Sequence, residues 1–524
     1  MVPLLLVVAL GCAPDAPADA SPEAASPEAA AAAGAPVAPD AVDRPNFVVI
    51  DIDSMRADHL PLVRDGVVVT PRLAQLVGES VRFTNAYSQS GWTLPAILSM
   101  LSGRSPHGVS DGPEGRVYFE LPGRSLPEIL ALYGYTTVGA WGTTLPNNDP
   151  AILGTFAHKL VATPEMTDPL TDPVVDWLTE APAQPFFLMV HALDLNSVPE
   201  SIPDTALHRW SDAEPHAAIP QLQDLYNALV PTLGSDRAMA HALSHYDGAL
   251  AAYDAGVGRI LDTLDARGLT ERTVVILTSE HGQEFGEHGG IGHHGSGYEA
   301  VLHVPLLIRD PTVPGGRDEA GGVQTIDFAP TVLARAGIEV DRLMEGTSWL
   351  GLARGEVADW PARDVYSYSS REVLSLRTER FKLVYGHACP KKGGPPSGCA
   401  SLHDLAADPG EQRDVRDANP EVFAALNARL EAWGAARVED GTASTADPRL
   451  TEALKRGGYW GMVYRESDLD GTADKKNKVV AEAGVPADPE PWKKKPPTDF
   501  VAPVPLETPE QRRARRWAEE NAGK

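Results

Sequence analysis

Short apolar runs that recur between amphipathic stretches constrain this chain more than any other feature. Phe47-Val48-Val49-Ile50, Phe186-Phe187-Leu188-Met189-Val190, Thr273-Val274-Val275-Ile276-Leu277 and Pro305-Leu306-Leu307-Ile308 are continuous apolar segments of strand length, so they read as buried strands. Stretches such as 125–133 and 242–267 read as helices between them. Strands alternating with helices predict an α/β fold, a mostly parallel sheet covered by helices on both faces. Polar residues gather just beyond the strands: Asp53 after the first, His191 and Asp194 after the second, Glu280 and His281 after the third. Ligands in open α/β sheets bind outside the carboxyl ends of the strands. The pattern therefore predicts that one sheet edge collects carboxylates and imidazoles from distant parts of the chain.

The character changes near residue 355. Residues 377–384 alternate and read as one antiparallel strand, 402–405 as another, and 420–433 as a helix, which together predict a small α+β unit. Beyond about residue 440 the chain is Pro-rich, with basic clusters at 493–495 and 512–516. The predicted organisation is a principal domain over 44–350, a C-terminal subdomain over 351–440 and a partly ordered basic tail over 441–524.

The N-terminus points to export. Val2 to Leu10 is apolar but far shorter than the roughly 20 residues that span a bilayer. It ends in Ala9-Leu10-Gly11-Cys12, small residues before a cysteine, which resembles a bacterial lipoprotein signal with Cys12 as the lipidated residue. The departure is the lack of Lys or Arg ahead of the run. Residues 13–43 contain no Lys, Arg or aromatic side chain and read as a disordered tether. The expectation is an exported protein held at the cell envelope through a lipid anchor. Cys389 and Cys399 flank a short loop and are compatible either with a disulfide or with two free thiols. A net charge of −27, from 72 acidic against 45 basic residues, opposes binding to a phosphate backbone, so nucleic acid is excluded as a partner of the protein body.

Several segments in order carry a family resemblance. Residues 45–60, Pro-Asn-Phe-Val-Val-Ile-Asp-Ile-Asp-Ser-Met-Arg-Ala-Asp-His-Leu, resemble the opening of the sulfatase family in the alkaline phosphatase superfamily. Trp92-Thr93-Leu94-Pro95, Leu101-Ser102-Gly103-Arg104, Gly292-His293 and Asp404-Leu405-Ala406-Ala407-Asp408-Pro409-Gly410-Glu411 continue the likeness. Its most specific stretch is 278–289, around Glu280-His281-Gly282. The resemblance implies a three-layer alkaline-phosphatase-like fold, an ester hydrolase and a divalent cation. Ca²⁺ is the first expectation, with Mg²⁺ or Mn²⁺ as alternatives. Asp53, Ser54, Glu280 and His281 match the family's metal positions, although Ser54 stands where a second Asp is common and Glu280 where Asp is usual. Hard cations take oxygen ligands, while a His admits Mn²⁺ or Zn²⁺ as well.

The nucleophile position departs most from the family pattern. Thr93 stands where sulfatases carry a Cys or Ser that is oxidised to formylglycine, and Thr cannot yield that aldehyde. Formylglycine chemistry is therefore excluded, but a Thr hydroxyl can attack directly if a metal lowers its pKa. The bland alternative is that Thr93 caps the following helix. Ile97 replaces the family's Arg, and the Lys and His of the family's second signature are missing after Gly134. His293 matches the family's substrate His and is expected to assist the leaving group, with His191 and His294 contacting substrate. Hydrolysis of a sulfate or phosphate ester by Thr93 and His293 is the leading expectation. The rivals are a phosphodiesterase or phosphotransferase of the same superfamily, and a pseudoenzyme that binds a sulfated or phosphorylated small molecule or glycan without turnover.

Overall fold

The computed structural model describes residues 44–106, 109–112, 116–119, 125–141, 155–160, 171–192, 195, 222–293, 296–370, 373–386 and 400–439. Cys12, the tether, Asp194, Asn196, His294, the Cys389–Cys399 loop and the tail from 441 lie outside the described residues.

The core is an eight-stranded sheet. In chain order its strands are β1 (Asn46–Ile52), β2 (Val81–Phe83), β3 (Thr136–Trp141), β4 (His158–Leu160), β5 (Phe186–Ala192), β6 (Thr273–Thr278), β7 (Leu306–Arg309) and β8 (Arg317–Glu319). Their spatial order is β8-β2-β7-β6-β1-β5-β3-β4. The run β6-β1-β5-β3-β4 is parallel throughout, and β7 is antiparallel to both β6 and β2. The sheet is thus mostly parallel, as the sequence predicts.

Successive side chains on a strand point to opposite faces, and the core divides accordingly. Phe47 and Val49, Phe187 and Met189, and Val274 and Ile276 form one face. That face packs on α2 (Thr93–Ser102), α3 (Leu126–Leu132) and α7 (Phe328–Arg335). Val48, Ile50 and Ile52, Leu188 and Val190, and Val275 and Leu277 form the other. It is covered by α1 (Pro71–Glu79), α4 (Thr171–Thr179), α5 (Leu222–Leu233) and α6 (Ser235–Ala266). Helix α6 starts seven residues before the expected 242, because Ala238 and His241 are also buried and extend its apolar stripe. Helix α3 begins as its sequence suggests, with Ser125 and Glu128 closing a reciprocal capping box.

A second, antiparallel sheet holds β9 (Val365–Ser370), β10 (Val373–Arg377), β11 (Phe381–Tyr385) and β12 (Ala400–Asp404) in that order. Helix α8 (Pro420–Glu439) packs Leu426 and Leu430 against Leu376, Leu383 and Leu402. The single strand expected over 377–384 is corrected in its bounds: 381–384 do lie in the antiparallel strand β11, but Arg377 ends β10 and 378–380 are the turn of the hairpin between them. Thr378 makes the turn, its hydroxyl receiving the Phe381 N–H at 3.0 Å while its own N–H donates to the Phe381 carbonyl at 2.8 Å.

Candidate active site at the carboxyl edge of the sheet

Parallel register brings the site together. Asp51 in β1 lies beside His191 in β5 and Thr278 in β6. By alternation Asp51 continues the Phe47–Val49 row and His191 the Phe187–Met189 row, so both belong to the sheet face that packs on α2. The chain then leaves β1 through Asp53 and Ser54, and β6 through Ser279, Glu280 and His281. Ser54 adopts a positive φ of 64°, a left-handed turn that costs energy for a residue with a side chain. Two contacts hold it. The Tyr246 hydroxyl donates to the Ser54 carbonyl at 2.8 Å, and the Met55 N–H donates to the Ser279 hydroxyl at 3.0 Å.

Asp53, Glu280 and His281 are all buried. His281 Nε2 lies 3.6 Å from Glu280 Oε1 and 3.8 Å from Asp53 Oδ1. The Ser54 hydroxyl donates to Asp53 Oδ1 at 2.8 Å, so it steadies the carboxylate. Thr93 opens α2, and its Oγ1 sits 3.0 Å from His281 Nε2. The helix cap is Trp92, and Thr93 makes its side-chain bond into the cluster rather than to its own helix end. His293 stacks on His281 at 4.1 Å between ring centres.

Backbone carbonyls set the tautomers. A carbonyl only accepts, so His281 Nδ1 donates to the Gly282 oxygen at 3.0 Å, and His293 Nδ1 donates to the Gly91 oxygen at 3.1 Å. Both glycines are forced by close approach. A Cβ at Gly282 would lie 2.3 Å from the Ala300 oxygen, and one at Gly91 would lie 2.8 Å from the Ser369 hydroxyl. With Nδ1 so engaged, His281 presents a bare Nε2 to Thr93 and the carboxylates.

Electrostatics divide the cluster. Burial pushes Glu280 well above the usual carboxylate range, and the neighbouring charges of Asp53 and Asp51 add to the effect. Burial also opposes ionisation of Asp53, but the bond from His191 and the charges of His281, His191 and His293 overcome it and hold its pKa low. His281 is lowered, chiefly by burial. Burial would lower His191 too, yet its bonds to Asp51 and Asp53 lift it to about 10. The residues fit a divalent cation. Neither oxygen of Glu280 receives a hydrogen bond from the described residues, although the side chain is fully enclosed. Asp53, Glu280 and His281 each offer a donor atom within 4.8 Å of the others. A cation supplies the countercharge that two such carboxylates need.

Two residues change meaning in this setting. The sequence assigns His191 to substrate, but it is 1% exposed and stands between Asp51 and Asp53. Ile97, where the family carries Arg, is fully buried in the apolar core beneath α2, so an Arg there would have to bury its charge. Sequence reasoning missed Asp51. The signal was available: a carboxylate inside an otherwise apolar buried strand is costly without a partner.

The sulfatase family profile matches residues 45–338, more than half of the chain. The chain belongs to the sulfatase family. It is thus a sulfatase-like hydrolase of the alkaline phosphatase superfamily. A second profile, the N-sulphoglucosamine sulphohydrolase C-terminal region, matches residues 286–435. The chain is 23% identical to an N-acetylglucosamine-6-O-sulfatase of Bacteroides thetaiotaomicron, over 71% of this chain and 82% of that protein. It is 27% identical to human arylsulfatase A, over 73% and 86% of the two chains. The phosphonate monoester hydrolase of Agrobacterium radiobacter shares the fold, with a TM-score of 0.59 and 22% identity over 75% of this chain and 96% of that one.

Proposed function

We propose that this protein hydrolyses a sulfate ester of a sugar or other small molecule, with Thr93 as the nucleophile and a divalent cation held by Asp53, Glu280 and His281. The observation that carries this reading is the Thr93 hydroxyl, buried at the start of α2 and 3.0 Å from His281 Nε2 beside two carboxylates. When bound, the cation lowers the cost of ionising the alcohol and balances charge on the ester oxygens. Thr93 loses its proton to solvent, and its oxygen bonds to sulfur as the bond from sulfur to the leaving oxygen breaks. His293, whose Nδ1 proton stays on the Gly91 carbonyl, takes a proton from solvent on Nε2 and gives it to that leaving oxygen. Water then hydrolyses the Thr93 ester, releasing sulfate and restoring the hydroxyl. The first turn of α2 adds backbone N–H groups and partial positive charge on the side of the attacked anion.

The substrate class rests on the names of relatives, one of them an N-acetylglucosamine-6-O-sulfatase. A phosphate or phosphonate ester is the second reading, favoured by Thr93 itself, since Thr cannot become formylglycine, and by the fold shared with a phosphonate monoester hydrolase. Export and lipid anchoring through Cys12 stay part of the proposal and rest on the sequence. Among the described residues no helix is long and apolar enough to cross a membrane. Cys12→Ser should move the protein from the membrane fraction to the soluble one.

Turnover of aryl sulfate, aryl phosphate and bis-aryl phosphate, each with and without Ca²⁺, Mg²⁺ and Mn²⁺, tests the reading. Sulfate-selective, metal-dependent turnover abolished by Thr93→Ala supports it. Preference for the diester favours the second reading, and no turnover of any ester makes the protein a binder.

A further inference from the structure

The Asp53, Glu280 and His281 donors are one of two overlapping sets. Asp51, His191 and Glu280 also bring a donor atom each within 4.8 Å of one another, and the two sets share Glu280. The second set has no part in the reaction described above. Asp51, His191 and Glu280 are at most 1% exposed, and among the described residues Asp51 Oδ1 and both Glu280 oxygens receive no hydrogen bond. Enclosed acceptors without donors are costly unless something else meets them.

His191 is oriented as a ligand is. Its Nδ1 is 3.0 Å from Asp51 Oδ2, leaving Nε2 directed at the carboxylate of Asp53, 3.6 Å from Oδ2. A carboxylate holding the far nitrogen of an imidazole is the usual support of a metal-bound histidine. We infer that His191 is a further nitrogen ligand of the cation held by Asp53, Glu280 and His281, with Asp51 as its positioning residue, and that this mixed set selects Mn²⁺ or Zn²⁺ over Ca²⁺. The inference rests on the cation reading above and names what that cation is.

The spacing supports it. His191 to Asp53, His281 to Glu280 and His281 to Asp53 are separated by 3.6, 3.6 and 3.8 Å. The two contacts to Asp53 end on different oxygens of its carboxylate, Oδ2 toward His191 and Oδ1 toward His281, so Asp53 stands between the two imidazoles. His281 Nε2 and Glu280 Oε1, 3.6 Å apart, fit tetrahedral corners about 2.2 Å from their centre, close to the roughly 2.0–2.2 Å of zinc–nitrogen and zinc–oxygen bonds. His191 has one nitrogen to give, because Asp51 takes the other. That nitrogen faces Asp53, so the two sets converge on one ion rather than two. Ca²⁺ takes about six to eight oxygens, whereas imidazole suits Zn²⁺, and Mn²⁺ lies above Ca²⁺ only through its acceptance of nitrogen beside carboxylate.

The test uses the full chain stripped of metal by chelator and dialysis. Calorimetric titration with Ca²⁺, Mn²⁺ and Zn²⁺ should show Mn²⁺ or Zn²⁺ binding at least about tenfold more tightly than Ca²⁺. Asp51→Asn should weaken that binding by roughly 10–100-fold, and His191→Gln should erase the preference over Ca²⁺. Pulsed electron paramagnetic resonance of the Mn²⁺-loaded wild type reads coordinated imidazole nitrogen directly, so the test survives if a buried variant fails to fold. Two imidazole nitrogens are expected. One nitrogen, or a preference unchanged by His191→Gln in a folded variant, overturns the assignment of His191 and leaves the Asp53–Glu280–His281 cation site standing. No binding of any of the three ions overturns both.

Discussion

The molecule buries charge in two places and resolves it in two ways. At the edge of the main sheet, Asp51, Asp53 and Glu280 face imidazoles, those of His191, His281 and His293, and no Lys or Arg among the described residues bonds to them. Where the antiparallel sheet meets the region after His293, Glu299 and Glu411 face Lys382 and Arg377, whose charges are permanent at neutral pH. Lys382 is fully enclosed, with Nζ 2.8 Å from Glu299 Oε1 and 3.1 Å from Glu411 Oε1. Arg377 Nε is 3.3 Å from the other Glu299 oxygen. The second cluster carries its cations in its own chain. The first leaves Glu280 with no donor among the described residues, which suits a place that admits an ion and an anionic substrate. A closed cluster serves stability, and an open one serves chemistry.

Removing the cation of the closed cluster should have the largest effect. Lys382→Met strands two buried carboxylates and should cost about 3–5 kcal/mol in urea unfolding, equally with and without chelator. A loss of stability that vanished on adding metal would merge the two clusters and break the contrast.

Chelation should act on the open cluster alone. At free metal about 100 times Kd the bound ion stabilises the fold by about 2.7 kcal/mol, so chelator should lower Tm by a corresponding amount. Asp53→Ala should abolish that shift. Identical melting curves with and without chelator would show that the open cluster holds no ion.

Acid should read the closed cluster. Burial would raise Glu299, but the charges of Lys382 and Arg377 hold it at about 2 instead of 4.5. A carboxyl with a depressed folded pKa contributes stability above its ordinary value and loses it as pH falls through the folded one. Stability should therefore decline between about pH 4.5 and pH 2, by up to about 1.4 kcal/mol for each unit crossed. Melting curves of Glu299→Gln that kept the full decline over that window would remove Glu299 as its source.

The smallest effect belongs to Glu411→Gln. Burial raises Glu411, the charge of Glu299 adds to this, and Lys382 opposes it. The amide keeps an oxygen to accept the Glu299 N–H, now bonded at 2.6 Å, so its cost at neutral pH should stay below about 1 kcal/mol. A raised folded pKa makes the fold gain stability as pH falls through it toward about 4.5 and level off below, so losing Glu411 should remove a gain that lies above the window attributed to Glu299. A large loss at neutral pH would show that the ionised form is needed.

By itself the sequence determined four of the eight strands of the main sheet, some of the helices between them and the mostly parallel α/β arrangement, because apolar run length and periodicity depend only on neighbours along the chain. It also marked Asp53, Glu280, His281 and His293, which follow strands or carry the family pattern. It did not reveal that 378–380 form a turn, which the polar run Arg377-Thr378-Glu379-Arg380 marks and the Thr378 bonds close. Nor did it identify Ile97 as core, or the pairing of Asp51 with His191, 140 residues away. Which strands lie side by side, and in what register, is decided by helices packing on both faces at once. That order placed Asp51 beside His191 and turned Thr93 toward His281, so the tertiary structure chose which of the available side chains became one site.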